Sequence, residues 1–461
     1  MKKIFIYSFC VLMFAGSGCK KFMDVTPKGL FLPKTVADYE LFMNDVLIAD
    51  AAYGYEEFMT DDIAYTDDIL VSQLNYRNGR SYLWQADLFK VTEDDGEWNN
   101  MYRNIYNCNL VLKNIGDATG GTPADKERII AEAKIHRAYY YFHLANLFGN
   151  DYQEATAAKD LAVPLLLVPD LEAKTSRATV KEVYEQVLKD LSDAIALNGL
   201  PDMGSNYVHP GKAAALALQA RVYLYMGDYS KAMKAATDAL VLHNTLLDYN
   251  TFSFVNPARP YSGVNGRPTV DKNPENIYTK TNSNNGIITR FMIHPNLLQI
   301  LGETDLRYVY TFTRLTRTGA VSTNPYPDYF ANTVNYSIGV PEMMLIKAEC
   351  LARDQETGEA VKILNELRKK RFKPGDYSDV SAATADEALG LVLEERRREL
   401  MYHGLRWFDL KRLNRDVRFK KTLTREYDGT VYTLAPQDPK YLLQIAPKIV
   451  QINPAIIPNP R

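Results

Sequence analysis

The sequence predicts a mostly α-helical protein, a scaffold of helix pairs carrying irregular, loop-rich insertions. Three observations carry that expectation. Helix starts with a hydroxyl cap and an acid three residues on recur at Thr122, Thr179 and Thr384. A helix, a Gly227-Asp228 break and a second helix follow one another between Tyr207 and His243. Two stretches, about 60–85 and 248–336, lack helical periodicity. Long irregular stretches inside a compact protein are usually functional.

In chain order, Lys2 and Lys3 precede an apolar run, Ile4 to Ala15, too short to span a bilayer as a permanent helix. Gly16-Ser17-Gly18-Cys19 then sets small residues before a cysteine. This is the layout of a secretory signal peptide whose cleavage leaves Cys19 at the new N-terminus. A lipid on Cys19 would tether the mature protein to a membrane. Ordinary secretion with cleavage elsewhere is the alternative. The expected organisation is a signal peptide over 1–18 and one domain over 19–461. Lys20 to Lys34, with Pro27, Gly29 and Pro33, reads as an extended tether.

The helices follow. Thr122-Pro123-Ala124-Asp125 opens one whose face carries Ile129, Ala133, His136, Tyr140, Leu144 and Leu147. Thr179-Val180-Lys181-Glu182 opens another, to about Leu197. Pro210 opens a helix rich in Ala and Leu that runs to Met226, and Ala232, Ala235, Ala236 and Ala239 line the helix after the break. Small residues at these spacings let antiparallel helices approach closely. The pair resembles a tetratricopeptide repeat. Pro341 to Arg353 with Gly358 to Arg371 gives a looser pair, and 126–149 with 179–197 a third. The spacing is too irregular for a simple solenoid. Within the second insertion, Tyr308 to Leu315 reads as a short strand.

Composition excludes some functions. The net charge of −2, or −4 once Lys2 and Lys3 are removed, gives no global electrostatic case for nucleic acid. No later stretch is apolar and long enough for a transmembrane helix. Tyrosine is abundant, 31 against 3 Trp, which suits half-buried walls as well as helix packing. Of four cysteines, Cys10 leaves with the signal and Cys19 is committed to the N-terminus. Cys108 and Cys350 make no disulfide framework and read as buried free thiols.

Glu394 to Leu413 reads EERRRELMYHGLRWFDLKRL. This is similar to the C-terminal signature of the SusD/RagB family. Other landmarks agree in order: Cys19 to Pro27, Trp98 with Tyr102, Ile105, Asn109 and Ile115, His209 to Leu240, and Ile445 to Pro460. Departures are His403, where the family often has an acid, Ala446 in place of a proline, and Lys20 and Lys21. The lysines bear on which face of the outer membrane displays the protein. The resemblance implies a helical scaffold of four repeat-like pairs with a loop-rich ligand-binding half. It implies a lipid-anchored outer-membrane protein that captures nutrient, usually an oligosaccharide. The implied partner is a SusC-like TonB-dependent β-barrel transporter, on which the protein sits as a lid.

The chemistry of the residues is consistent with binding. Glu394 to Glu399 reads as a structural helix, with opposite charges three and four apart and Arg396 buried against Asp409. Trp98, Trp407 and Phe408 read as core. Asp61-Asp62, Asp67-Asp68 and Asp94-Asp95 match neither the facing carboxylates of a glycosidase nor an EF-hand. His136 and His143 could share a helix face, but no third ligand is visible. No P-loop, dinucleotide fingerprint or G-x-S-x-G occurs. The expectation is a non-catalytic protein with no cofactor and no metal. A helical glycoside hydrolase and a protein-binding repeat scaffold are the alternatives. Sugar recognition needs an aromatic wall beside a few polar groups. Candidates from the first irregular region are Tyr65, Tyr76, Arg77, Asn78 and Trp84. Those from the second are Tyr261, Asn265, Tyr326 and Tyr329.

Overall fold

The computed structural model describes residues 33–50, 54–282, 291–315, 319–327 and 334–461, without the side chains of residues 323, 324, 326 and 327. The expected signal segment, the lipid site at Cys19 and Tyr329 lie outside the described residues.

Among those residues the scaffold is a row of eight helices: Gly96–Asn114, Pro123–Phe148, Val180–Ile195, Lys212–Met226, Tyr229–Leu242, Val340–Arg353, Thr357–Arg368 and Ala385–Glu399. Each packs against the next, and Val340–Arg353 also lies against Ala385–Glu399. Nearest-neighbour stacking of this kind is the logic of helical repeats. The caps form as the residues dictate. Thr122, Thr179 and Thr384 each accept the N–H three residues on, and Asp125, Glu182 and Glu387 reach back to the cap. Thr35 and Asp38 add a fourth box. Gly227 ends its helix at φ 77°, where a Cβ would be strained. The facing alanines, Ala213, Ala217 and Ala220 against Ala232, Ala236 and Ala239, are all buried.

The Pro123–Phe148 helix is central. From Ile135 to Phe148 every residue is buried. A helix enclosed on all sides must satisfy its polar groups internally. Tyr140 and Tyr141 donate their hydroxyls to the carbonyls of Ile48 and Leu166, each at 2.7 Å. Arg137 grips Asp190 through two bonds of 2.8 and 2.6 Å.

The second irregular region leaves the scaffold after Leu242 and returns at Val340, so it is mounted between two packed helices. Short antiparallel strand pairs brace it. Ile63–Ala64 pairs with Met292–Ile293 and joins the two irregular regions. Ser253–Phe254 pairs with Val264–Asn265, and Phe312–Leu315 with Val321–Pro327.

Some elements differ from expectation. The first irregular region holds two short helices, Asp67–Gln73 and Arg77–Tyr82, each too short to set up a periodic pattern. Of the expected strand, only Phe312–Leu315 is extended; Leu306–Thr311 is helical because Asp305 caps it. The hairpin of Leu423–Tyr427 with Thr430–Leu434 was not anticipated. Its turn, Asp428-Gly429, takes φ of 49° and 68°, and Asp-Gly between strands is the signal that would have found it. Cys108 and Cys350 are buried free thiols, pushed up to about 12 chiefly by burial.

Candidate ligand-binding cavity

A cavity of about 270 Å³ opens between the second irregular region and the end of the Ala385–Glu399 helix. Its walls include Tyr249, Phe252, Val264, Arg267, Asn276, Tyr310 and Asn335. Arg307, Glu342, Glu399 and His403 also line it.

The carboxylates of this lining are matched by arginine. Arg307 donates to Asp305 and, at 2.6 Å, to Glu399. Arg371 spans Glu275 at 2.8 Å and Glu399 at 2.7 Å. Arg221 holds Glu342 through bonds of 2.8 and 2.6 Å. Removing one partner of such a buried pair would leave an uncompensated charge. His403 is held neutral: burial pushes its imidazole down to about 4. Its Nδ1 has no hydrogen-bond partner among the described residues. On the wall, Arg267 gives one N–H to the Tyr310 carbonyl at 2.9 Å, and Asn335 donates to Asn276 at 3.3 Å. Tyr249 is sandwiched between Phe252, with ring centroids 4.7 Å apart, and the Arg371 guanidinium, 4.3 Å from its ring centre. The cavity therefore offers hydrogen bonds and aromatic edges around paired charges.

The candidates read from sequence divide three ways. Trp84 is 1% exposed and belongs to the core. Its indole N–H goes to the Met59 carbonyl at 2.9 Å, and the Arg425 guanidinium covers its ring at 4.3 Å. No face remains for a sugar. Arg425 comes from the unanticipated hairpin, so the sequence carried no sign of that cover. Tyr65, 9% exposed, packs on Phe58 and Tyr82. Arg77 is enclosed by the rings of Tyr55 and Phe89, at 4.2 and 3.8 Å, and bonds the Asp94 carbonyl. Tyr76 is 61% exposed and Asn78 half-buried.

In the second region, half-buried Tyr261 and exposed Asn265 share the hairpin whose Val264 lines the cavity. Tyr261's turn, Pro260–Ser262, packs against Phe312–Leu315, whose Thr313 stands opposite Tyr326. The structure thus brings Tyr261, Asn265 and the Tyr326 backbone to one side of the insertion. The side chain of Tyr326 and the whole of Tyr329 are outside the described residues. Reasoning from sequence missed Tyr249, Arg267, Tyr310 and the charged floor.

The acidic pairs are structural. Asp61 takes Arg406 at 2.7 Å and Lys421 at 2.8 Å; Asp62 takes Arg397 at 2.7 Å. Burial works against ionising Asp61, yet Arg406, Arg397 and Lys421 hold it well below the usual carboxylate range. Asp67 and Asp68 lie in the first turn of their short helix. Asp95 caps Gly96–Asn114, and exposed Asp94 meets Lys448. Arg396 donates to Asp409 at 2.9 Å as the stripe predicts, and Arg398 pairs with Glu394 four residues back. Trp98, Trp407 and Phe408 are buried. His136 and His143 do not converge on one ligand. His136 Nε2 meets the Val208 carbonyl at 2.8 Å, while His143 faces Glu56 and Glu97.

Comparison with known proteins completes the picture. Residues 21–224 match a family model described as starch-binding and associating with the outer membrane, and residues 338–461 match the SusD family model. The SusD-like protein P2 of Formosa agariphila is 24% identical over 489 residues, which covers 90% of this chain and 91% of that one. A SusD superfamily crystal structure from Bacteroides thetaiotaomicron superposes with TM-score 0.72 at 23% identity, covering 93% of this chain and all of that one. The surface glycan-binding protein A of Bacteroides uniformis does so with TM-score 0.68 at 20% identity, covering 92% of this chain and 98% of that one. At these identities the solved structures establish the fold.

Proposed function

The chain belongs to the SusD/RagB family, and on that premise we propose that it is a non-catalytic glycan-binding lipoprotein of the outer membrane. It captures an oligosaccharide and hands it to a SusC-like TonB-dependent transporter. Lipid on Cys19 supplies the tether. Among the described residues no helix is long and apolar enough to cross a membrane, which agrees with that reading.

The observation that carries the proposal is the cavity with its paired charges. Glu275, Glu342 and Glu399 are each matched by arginine, and His403 is neutral. A cationic ligand would find no unmatched carboxylate there, and half-buried Arg267 keeps N–H groups for a ligand oxygen. A neutral, hydroxyl-rich ligand would find donors and acceptors beside aromatic edges. Ligand pockets run roughly 300–1,000 Å³, so this one fits a small unit, with the rest of an oligomer running out over the rim. We assign Arg267 and His403 to the pocket and Tyr261 and Asn265 to its rim. Tyr76, Asn78, Tyr326 and Tyr329 are further proposed ligand contacts. Trp84, Tyr65 and Arg77 act as supports.

Isothermal titration against a panel of neutral oligosaccharides tests this. Binding by the wild type, weakened at least tenfold by Arg267→Ala or Tyr261→Ala, is expected. Binding unchanged in both variants would move the site elsewhere. Release of reducing ends from the bound oligosaccharide, abolished by one carboxylate substitution, would make the protein a glycosidase.

A further inference from the structure

We propose that Glu56, Glu97 and His143 form a buried site for a divalent transition-metal ion of the zinc class. The three residues come from distant parts of the chain. Glu56 precedes the 3-10 turn Glu57–Met59, Glu97 sits in the first turn of Gly96–Asn114, and His143 lies near the end of Pro123–Phe148. Their ligand-type atoms all lie within 4.8 Å of one another. His143 Nε2 stands 3.9 Å from Glu56 Oε1 and 3.8 Å from Glu97 Oε1. Donors around a tetrahedral zinc, at bonds of roughly 2.0–2.1 Å, stand about 3.3 Å apart. The two separations from His143 close to that value by a shift of about half an ångström, within reach of side-chain torsions.

Two observations point to a ligand at this place. The first is a pair of orphaned atoms on His143 and Glu56. His143 is 4% exposed and Glu56 fully enclosed, yet His143 Nε2 and Glu56 Oε2 have no hydrogen-bond partner among the described residues. His143 Nε2 is aimed between the two carboxylates. Buried polar atoms are otherwise satisfied as a rule, and each exception asks for an explanation.

The second is a contrast within the protein. Asp61, Asp62, Asp190, Glu275, Asp305, Glu342, Glu349, Glu395 and Asp409 are buried carboxylates, and each is matched by an arginine. Among the described residues neither Glu56 nor its neighbour Glu57 forms an ion pair with arginine or lysine. Glu57 accepts the Gly404 N–H, and Glu56 lies 3.5 Å from the Tyr336 hydroxyl. A bound dication would supply there the positive charge that arginine supplies elsewhere.

The donor chemistry selects the class of ion. One imidazole and two carboxylates suit zinc, manganese or ferrous iron, and the absence of sulfur disfavours copper(I). Calcium wants six to eight oxygens, more than this set offers. Two aromatic rings fix the plane of the imidazole: Tyr139 stacks on it at 6.0 Å and Phe408 meets it edge-on at 5.2 Å. The role is structural. The ion would tie the segment leading to the first irregular region onto two scaffold helices.

The test uses the purified full-length protein, stripped with a chelator and then dialysed against zinc chloride, manganese chloride or calcium chloride. One equivalent of zinc should remain by elemental analysis and raise the melting temperature over the stripped protein, while calcium gives no shift. His143→Gln and Glu56→Gln should lose that equivalent, and His243→Gln, at a half-buried position outside the donor set, should keep it. X-ray absorption of the zinc-loaded wild type should show one imidazole with oxygen donors and no sulfur, a readout that does not depend on any variant folding. No retained equivalent in the folded wild type, retention undiminished by both ligand substitutions, or a sulfur-containing shell would each overturn the proposal.

Discussion

Lys280 is buried and, among the described residues, forms no ion pair, although Asp50 lies near enough to favour its charge. Its ammonium donates to the Ile48 carbonyl at 2.6 Å and meets His136 Nδ1 at 3.1 Å and the Tyr140 hydroxyl at 3.4 Å. The rings of Tyr139, Tyr140 and Tyr278 surround it at 4.7–5.0 Å. Burial pushes its pKa down to about 7. A base whose folded pKa lies below its unfolded value binds fewer protons when folded, so stability rises with pH between about 7 and 10.5. From pH 7 to pH 9 the contribution is about 2 kcal/mol. Urea unfolding of wild type and Lys280→Met at both values isolates it, because other groups cancel in the difference. The wild type should gain about 2 kcal/mol more than the variant; equal changes would mean Lys280 titrates normally. At Trp84, the enclosure by Arg425 and Met59 predicts a stability phenotype. Trp84→Ala should cost about 3–5 kcal/mol, whereas Tyr76→Ala should stay within about 0.5 kcal/mol. Comparable costs in the two would contradict their placement. Sequence shows that Trp84 is large and apolar. It cannot show that a residue 341 positions away covers its ring, which is why an interior residue reads there as a binding one.

Helix boundaries were legible because their causes are local. Thr179 and Glu182 are three residues apart and make their box without help from the rest of the chain. The alanine faces across Gly227-Asp228 are likewise a property of one short segment. The charged helix Ala385–Glu399 was legible in part: a stripe placed Arg396 inward and named Asp409. Its other partners, Asp61 and Asp62 for Arg397 and Arg307 for Glu395, are set by tertiary packing. The cavity lining was illegible for the same reason, being assembled from four separated segments. Two substitutions test the local account. Thr179→Ala should cost about 1 kcal/mol in chemical denaturation, and no loss would deny the capping box a role. Gly404 sits at φ 74° with the Tyr336 ring 2.5 Å from where a Cβ would stand. Gly404→Ala should therefore cost about 2 kcal/mol or more, and a neutral effect would show that the segment shifts freely.

At the scale of the molecule, a rigid row of helices carries an insertion whose floor is fixed by arginine–carboxylate pairs. Those pairs also set the acid limit. Burial opposes ionisation of Glu349 and Glu395, but Arg412 and Arg307 outweigh it and hold both down to about 2. Carboxylates with depressed folded pKa values contribute stability above the unfolded value of about 4.5 and lose it as pH falls toward 2. The scaffold should stay folded at pH 5 and unfold cooperatively between about pH 4 and 2 by circular dichroism; a flat signal to pH 2 would show the pairs to be dispensable. On the function proposed above, a preformed cavity holds a neutral oligosaccharide without cutting it. A crystal structure of the protein soaked in the tightest-binding oligosaccharide from the titration panel tests that most directly. An intact sugar unit seated between Arg267, Tyr310 and His403 is the predicted result, and a cleaved product, or an intact ligand bound away from this cavity, would contradict it.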